Sequence, residues 1–125
     1  MDNENKELTP KEIAEKAVTI LDSKKAHNIK LLHIEEKTVL ADYFVFCRGN
    51  SNTQIRALAG EVEEKLLEQG VKPLHTEGYN EGIWTVLDYG SVIVHIFNRE
   101  AHEFYKLEKL WADAEEIDIS ALLQD

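Results

Sequence analysis

The sequence predicts an α/β domain built on a mixed five-stranded sheet with helices, in the chain order α-β-β-α-β-β-β-α. Two observations predict it. Three stretches carry apolar residues at helical spacings of three and four, and five short runs between them are apolar on alternate residues or on both faces. At 125 residues and 43% hydrophobic content, the chain reads as one domain that buries roughly two-thirds of its unfolded surface.

The first helix opens at Thr9-Pro10-Lys11-Glu12. Thr9 can cap it, Pro10 suits the first helical position, and Glu12 completes a capping box. Ile13, Ala17, Ile20 and Leu21 carry its stripe to about residue 24. Residues 28–34 (NIKLLHI) read as a strand apolar on both faces, and residues 43–47 (YFVFC) as a second, across a polar turn at Glu35-Glu36-Lys37. Gly49 ends that strand. Ser51-Asn52-Thr53-Gln54 has the form of a second capping box, Ile55, Leu58, Ala59, Val62 and Leu66 follow, and Gly70 stops the helix after residue 69.

A short strand at residues 72–76 belongs near a sheet edge, because Pro73 cannot donate to a ladder. Residues 78–82 form a loop. Strands at 83–87 and 92–97 flank Asp88-Tyr89-Gly90-Ser91. Asn98 or Arg99 opens a last helix carrying Phe104, Leu107, Leu110 and Trp111. Beyond Ala112 the chain is an acidic tail with Asp113, Glu115, Glu116, Asp118 and Asp125 and no base. No repeat, linker or low-complexity segment interrupts residues 1–125.

Charge narrows the choice of partners. Twenty-four acids against fourteen bases leave a formal charge of −10, and a surface that negative repels phosphate backbones. Acidity serves solubility, and it also suits a basic protein partner; little direct nucleic-acid contact is expected. No apolar run approaches the roughly 20 residues of a membrane span, and the polar start MDNENKELTP is neither a signal nor a transit peptide. Cys47 is the single cysteine, and no Cys/His cluster has zinc spacing, so a cytoplasmic, reducing setting is expected.

The candidate binding residues lie between Trp84 and Trp111. With Tyr89 and Gly90 as a two-residue turn, Asp88 lies opposite Ser91, Val86 opposite Ile93 and Trp84 opposite His95, all on one face with Phe97. Leu87, Val92, Val94 and Ile96 form a purely apolar opposite face. A face interrupted by Trp84, Asp88 and His95 suits docking, where aromatics dominate the energetics. Plainer readings stand beside this one. Trp84 is equally a half-buried core aromatic, Asp88 a turn residue bonding its own backbone two positions on, and His95 a satisfied strand histidine. Tyr105 and Trp111 complete a helical stripe, and Cys47 is a buried small hydrophobe.

Catalytic signals are thin. The chain has no Walker loop, no G-x-S-x-G elbow, no H-E-x-x-H and no cysteine pair. Gly49-Asn50-Ser51 before a helix could hold an anion and invites comparison with nucleotidyltransferases. Those enzymes pair strand carboxylates on magnesium, whereas Asp88 stands alone, a poor two-metal site. No catalytic residue, metal or cofactor is expected.

Three blocks together resemble the ribosomal silencing factors, the Iojap-like proteins, over about residues 8–112. They are Ala41-Asp42-Tyr43-Phe44-Val45 running on to Gly49, Ser51 and Gln54; Glu77-Gly78 followed by Trp84, Asp88, Gly90 and His95; and Phe104-Tyr105-Lys106-Leu107-Glu108-Lys109-Leu110-Trp111. Phe46-Cys47-Arg48 departs from the family's Ile/Val-x-Ser or Thr wording, and the tail at 113–125 matches poorly. The resemblance implies a domain distantly nucleotidyltransferase-like in fold without that chemistry. It also implies a homodimer that binds the large ribosomal subunit through large-subunit protein fourteen, blocks joining of the small subunit and represses translation. The partner-binding residues expected on this basis are Trp84, Asp88, Tyr89, His95, Phe97, Tyr105 and Trp111. Two competing classes are an enzyme with a nucleotide or metal site at Ser51, Asp88 and His95, and a generic dimeric adaptor.

Overall fold

The helix starts form as the capping residues dictate. The computed structural model describes residues 8–35, 41–78, 83–101 and 114–123. Helix α1 (Pro10–Ser23) opens on a closed capping box: the Glu12 amide donates to Thr9 Oγ1 at 3.1 Å and the Thr9 amide to Glu12 Oε1 at 2.9 Å. Helix α2 (Asn52–Glu68) is capped differently from the expected box. The Gln54 amide donates to Ser51 Oγ at 3.0 Å, but Gln54 Oε1 reaches past the cap to accept from the Asn50 amide at 2.6 Å. Gly70, at φ 82, follows the helix as its stop.

The strands are β1 (His27–His33), β2 (Tyr43–Arg48), β3 (His75–Glu77), β4 (Trp84–Asp88), β5 (Val92–Phe97) and β6 (Glu115–Glu116). They form one sheet in the order β3-β4-β5-β2-β1-β6. Only the central β2/β5 pair is parallel; the other neighbours run antiparallel. The sequence reading of five strands is therefore corrected to six among the described residues. The sixth is two residues of the acidic tail, too short and too charged to carry a strand pattern, and it exists because β1 offers it a ladder. The short third strand begins at His75 rather than at residue 72. The first begins at His27, with a register irregularity before Lys30 where Asn28 takes φ 55.

Alternation along the strands divides the core into two layers. On one side α1 contributes Ala14, Val18 and Leu21, and α2 contributes Ile55, Leu58, Val62 and Leu66. They pack on Leu31, Val45, Cys47, Leu87, Val92, Val94 and Ile96 of the sheet. On the other side lie Leu32, Phe44, Phe46 and Phe97, with Trp84 and Ile93 partly buried against them. The last helix opens at residues 99–101, where the Ala101 amide donates to Asn98 Oδ1 at 2.8 Å. The rest of that predicted helix, with Phe104, Tyr105, Leu107, Leu110 and Trp111, lies outside the described residues.

Candidate docking face

The β4–β5 hairpin sets this face, and its register differs from the one read in the sequence. Asp88 pairs with Ile93, Val86 with His95 and Trp84 with Phe97. The Tyr89 amide donates to the Val92 carbonyl at 2.8 Å, so the two-residue loop is Gly90-Ser91 and not Tyr89-Gly90. Asp88 explains the choice. Its Oδ1 accepts from the Gly90 amide at 2.8 Å, the turn-residue role of an aspartate, and Gly90 takes φ 86 at the first loop position, where a side chain would be strained. The slip is two residues long. Because strand side chains alternate with a period of two, it leaves every residue on its expected face.

Beneath Trp84 the structure builds an aromatic layer. Phe46 pairs with His95 across the parallel β2/β5 ladder and stacks on it at 5.0 Å; Phe44 meets His95 edge-on at 5.0 Å. The Trp84 indole stacks on Phe97 at 5.3 Å, and its Nε1–H donates to His95 Nδ1 at 3.2 Å. With Nδ1 accepting, the imidazole proton sits on Nε2, which is buried and has no partner among the described residues. Burial pulls the His95 pKa down to about 4, so the ring stays neutral at physiological pH and its acceptor stays available to the indole.

The predicted site residues divide by exposure and by side. Trp84, Val86, Asp88 and Ile93 are half-buried, whereas His95 is 7% exposed and Phe97 2%. The outer residues can touch a partner; His95 and Phe97 form the support below them. Tyr89 is set apart, because strand parity turns it to the helix side, where it joins the core with a buried, unpartnered hydroxyl. Burial, with Glu63 nearby, raises the pKa of that hydroxyl. Tyr105 and Trp111 lie outside the described residues.

The residues considered for an enzyme site are not brought together. Ser51 follows the Arg48 end of β2, level with Phe97, while Asp88 is level with Ile93. Four residues of β5 separate those levels, about 13 Å at strand rise. Ser51 Oγ is engaged in the helix cap and one Asp88 oxygen in the turn. Among the described residues no group of three His, Cys, Asp or Glu side chains could hold a metal ion. Cys47 is buried and desolvation raises its pKa, which keeps it an inert thiol.

One positioning residue was missed in the sequence. Gly78 takes φ 76, and a Cβ there would stand 2.1 Å from the Trp84 carbonyl oxygen. The chain leaving β3 thus crosses the Trp84 backbone at a distance open only to glycine, and Thr85 Oγ1 donates to the Gly78 carbonyl at 3.3 Å. The adjacent Glu77-Gly78 pair was visible, but a glycine opening a loop does not announce which strand it will meet.

Residues 7–125 match the family model described as ribosomal silencing factor during starvation. The chain belongs to the ribosomal silencing factor family. A curated relative from Bacillus subtilis, "Ribosomal silencing factor RsfS", is 38% identical over 112 residues, 90% of this chain and 95% of its own. The crystal structure of a Chromobacterium violaceum protein superposes with a TM-score of 0.82 at 33% identity, covering 84% of this chain and 88% of that one. A more distant mouse relative is named "Mitochondrial assembly of ribosomal large subunit protein 1". It is 30% identical over 97 residues, 75% of this chain and 42% of the mouse protein. Members of this family are regulatory proteins that associate with the ribosome. No helix among the described residues is long and apolar enough to cross a membrane.

Proposed function

We propose that this protein binds the large ribosomal subunit in the cytoplasm and blocks joining of the small subunit by occupying its space, without catalysis and without a cofactor. The docking face is the outer layer of the hairpin, with Trp84 as anchor and Asp88 as the acidic contact for a basic ribosomal protein, large-subunit protein fourteen. One observation supports that face above others. Trp84 is half-buried rather than sunk in the core, while its N–H is already satisfied by His95. It can therefore give apolar ring surface to a partner without leaving a polar group unpaired. The formal charge of −10 suits a basic partner. His95 and Phe97 act from beneath, Tyr105 and Trp111 are further partner-binding residues, and the protein forms a homodimer.

Co-sedimentation with purified large subunits tests the binding, and it separates this reading from a generic adaptor. Order of addition tests the mechanism. A steric blocker must act before the subunits meet, so preincubation with free large subunits should repress translation in proportion to dose, while addition to joined ribosomes should do little at first. Equal and immediate inhibition in both orders would refute exclusion. An enzyme would act at substoichiometric amounts, with an effect growing in time.

A further inference from the structure

The acidic tail, whose role the sequence left open, pairs with the sheet edge beside one histidine. Strand β6 pairs Glu115 with His33 and Glu116 with Leu32 at the outer edge of β1, and the Ile117 amide donates to the Leu31 carbonyl at 2.8 Å. Ile117, Ile119 and Leu122 then pack, partly buried, against the helix-side core. Beside this short ladder, His33 Nδ1 lies 3.1 Å from Glu115 Oε1 and Nε2 lies 3.0 Å from Glu35 Oε1, with the ring stacked on Tyr43 at 4.9 Å.

The chemistry of that contact allows one protonation state. An ionised carboxylate only accepts hydrogen bonds, and a neutral imidazole has a single N–H. Both contacts can be hydrogen bonds only when His33 is an imidazolium. In the neutral ring one nitrogen would turn a lone pair toward a carboxylate oxygen. Among the described residues, the groups around the ring are Glu35 after β1, Tyr43 at β2 and Glu115 on β6, with Asp42 and Glu15 of α1 acting on the stacked Tyr43. None of them carries positive charge, so nothing among them competes with His33 for the carboxylates.

We propose that His33 is a proton-operated clasp on the C-terminal strand. The imidazolium closes β6 over the edge of β1, and the neutral ring leaves that strand to fray and uncovers the edge. An uncovered edge strand presents unpaired N–H and C=O groups that can accept a strand from another chain. The sign follows from the pKa of His33, raised by its hydrogen bonds to Glu35 and then Glu115. The clasp is fully closed below the ordinary histidine pKa near 6.5 and opens as pH rises through the raised value.

Hydrogen exchange followed by NMR on the full chain tests this. The Ile117 amide reports β6, and the Val94 amide in the central strand reports global opening. Between pH 6 and pH 9, protection corrected for intrinsic exchange should fall about two- to fivefold at Ile117, the range of a partly exposed ion pair, and stay level at Val94. Glu115→Gln keeps the backbone pairing but breaks the link between proton and strand, so Ile117 protection should become flat with pH. Glu35→Gln should keep the fall and move it to lower pH. Flat protection at Ile117 in the wild type would overturn the clasp, as would a fall shared equally by Val94 or an unchanged fall in Glu115→Gln.

Discussion

The two faces of this sheet use the same strands for different ends. On the helix side, Leu31, Val45, Leu87, Val94 and Ile96 are aliphatic and fully buried, and among the described residues the turn-end Tyr89 is the one side chain there with a buried, unpartnered hydroxyl. On the other side the same strands place Phe44, Phe46, His95, Phe97 and Trp84, whose rings contact one another and which include a polar link from the indole to His95. Aliphatic packing is non-directional and gives stability. A ring layer holding one oriented donor–acceptor pair gives a surface residue a defined pose. The difference suits stability on one face and, on the function proposed above, recognition on the other.

The sharpest way to break that division is to remove volume from the aliphatic face. Leu87 is fully buried under α2 and the sheet, and truncating a buried leucine costs about 2–5 kcal/mol. Leu87→Ala should lower the unfolding free energy by that amount, read from denaturant unfolding, while the fraction that remains folded binds large subunits with unchanged affinity. An affinity loss beyond the unfolded fraction would show that the helix side also carries recognition.

His95 offers a pH-dependent test of the aromatic face. Its pKa is held down to about 4 by burial, against about 6.5 in an unfolded chain. The unfolded state therefore binds the extra proton first, and stability present above pH 6.5 is lost as pH falls toward 4, by roughly 3 kcal/mol for this one group. His95→Gln keeps an acceptor for the indole and does not titrate there. Wild type should lose more stability than the variant between pH 6.5 and 4.5; parallel profiles would mean that His95 is solvated and the ring layer is open.

The sequence showed the face but not its depth. Alternation assigns Trp84, Val86, Asp88, Ile93, His95 and Phe97 to one side whatever the turn, which is why a register wrong by two residues cost nothing. Depth depends on which strand lies next door. Phe46 lies 49 residues from His95 in the chain, and only the parallel β2/β5 pairing sets the two rings together. No local pattern signals that pairing. The placement of Tyr89 was hidden for a related reason: grouped with its motif neighbours, it lies on the other side by parity. The acidic tail hid β6 because charged residues carry no strand signal and the pairing partner is more than eighty positions away.

If Trp84 anchors the contact, Trp84→Ala should cost about 2 kcal/mol of binding, over tenfold in affinity. The fold should survive, since the indole is half-buried and stacks on Phe97 from the edge of the layer. Normal binding by the variant would move the docking face elsewhere, and loss of folding would make Trp84 a core residue.

The smallest effect should come from Asp88, and it distinguishes charge from contact. The carboxylate does two things at once: Oδ1 holds the Gly90 amide at 2.8 Å, and its charge stands half-exposed on the proposed docking face. Asp88→Asn keeps a side-chain oxygen for the amide and removes the charge, so unfolding stability should change by no more than about 0.5 kcal/mol. Ribosome binding should weaken about two- to fivefold, the range of an exposed ion pair, and the gap between variant and wild type should close as salt rises, because exposed charges are screened over about 8 Å at physiological ionic strength. Asp88→Lys removes the acceptor as well and reverses the charge, so it should bind more weakly than Asp88→Asn at low salt and also lose turn stability. Equal affinity for wild type and Asp88→Asn at every salt concentration would leave Asp88 with its turn alone, and recognition would then rest on the aromatic face without help from charge.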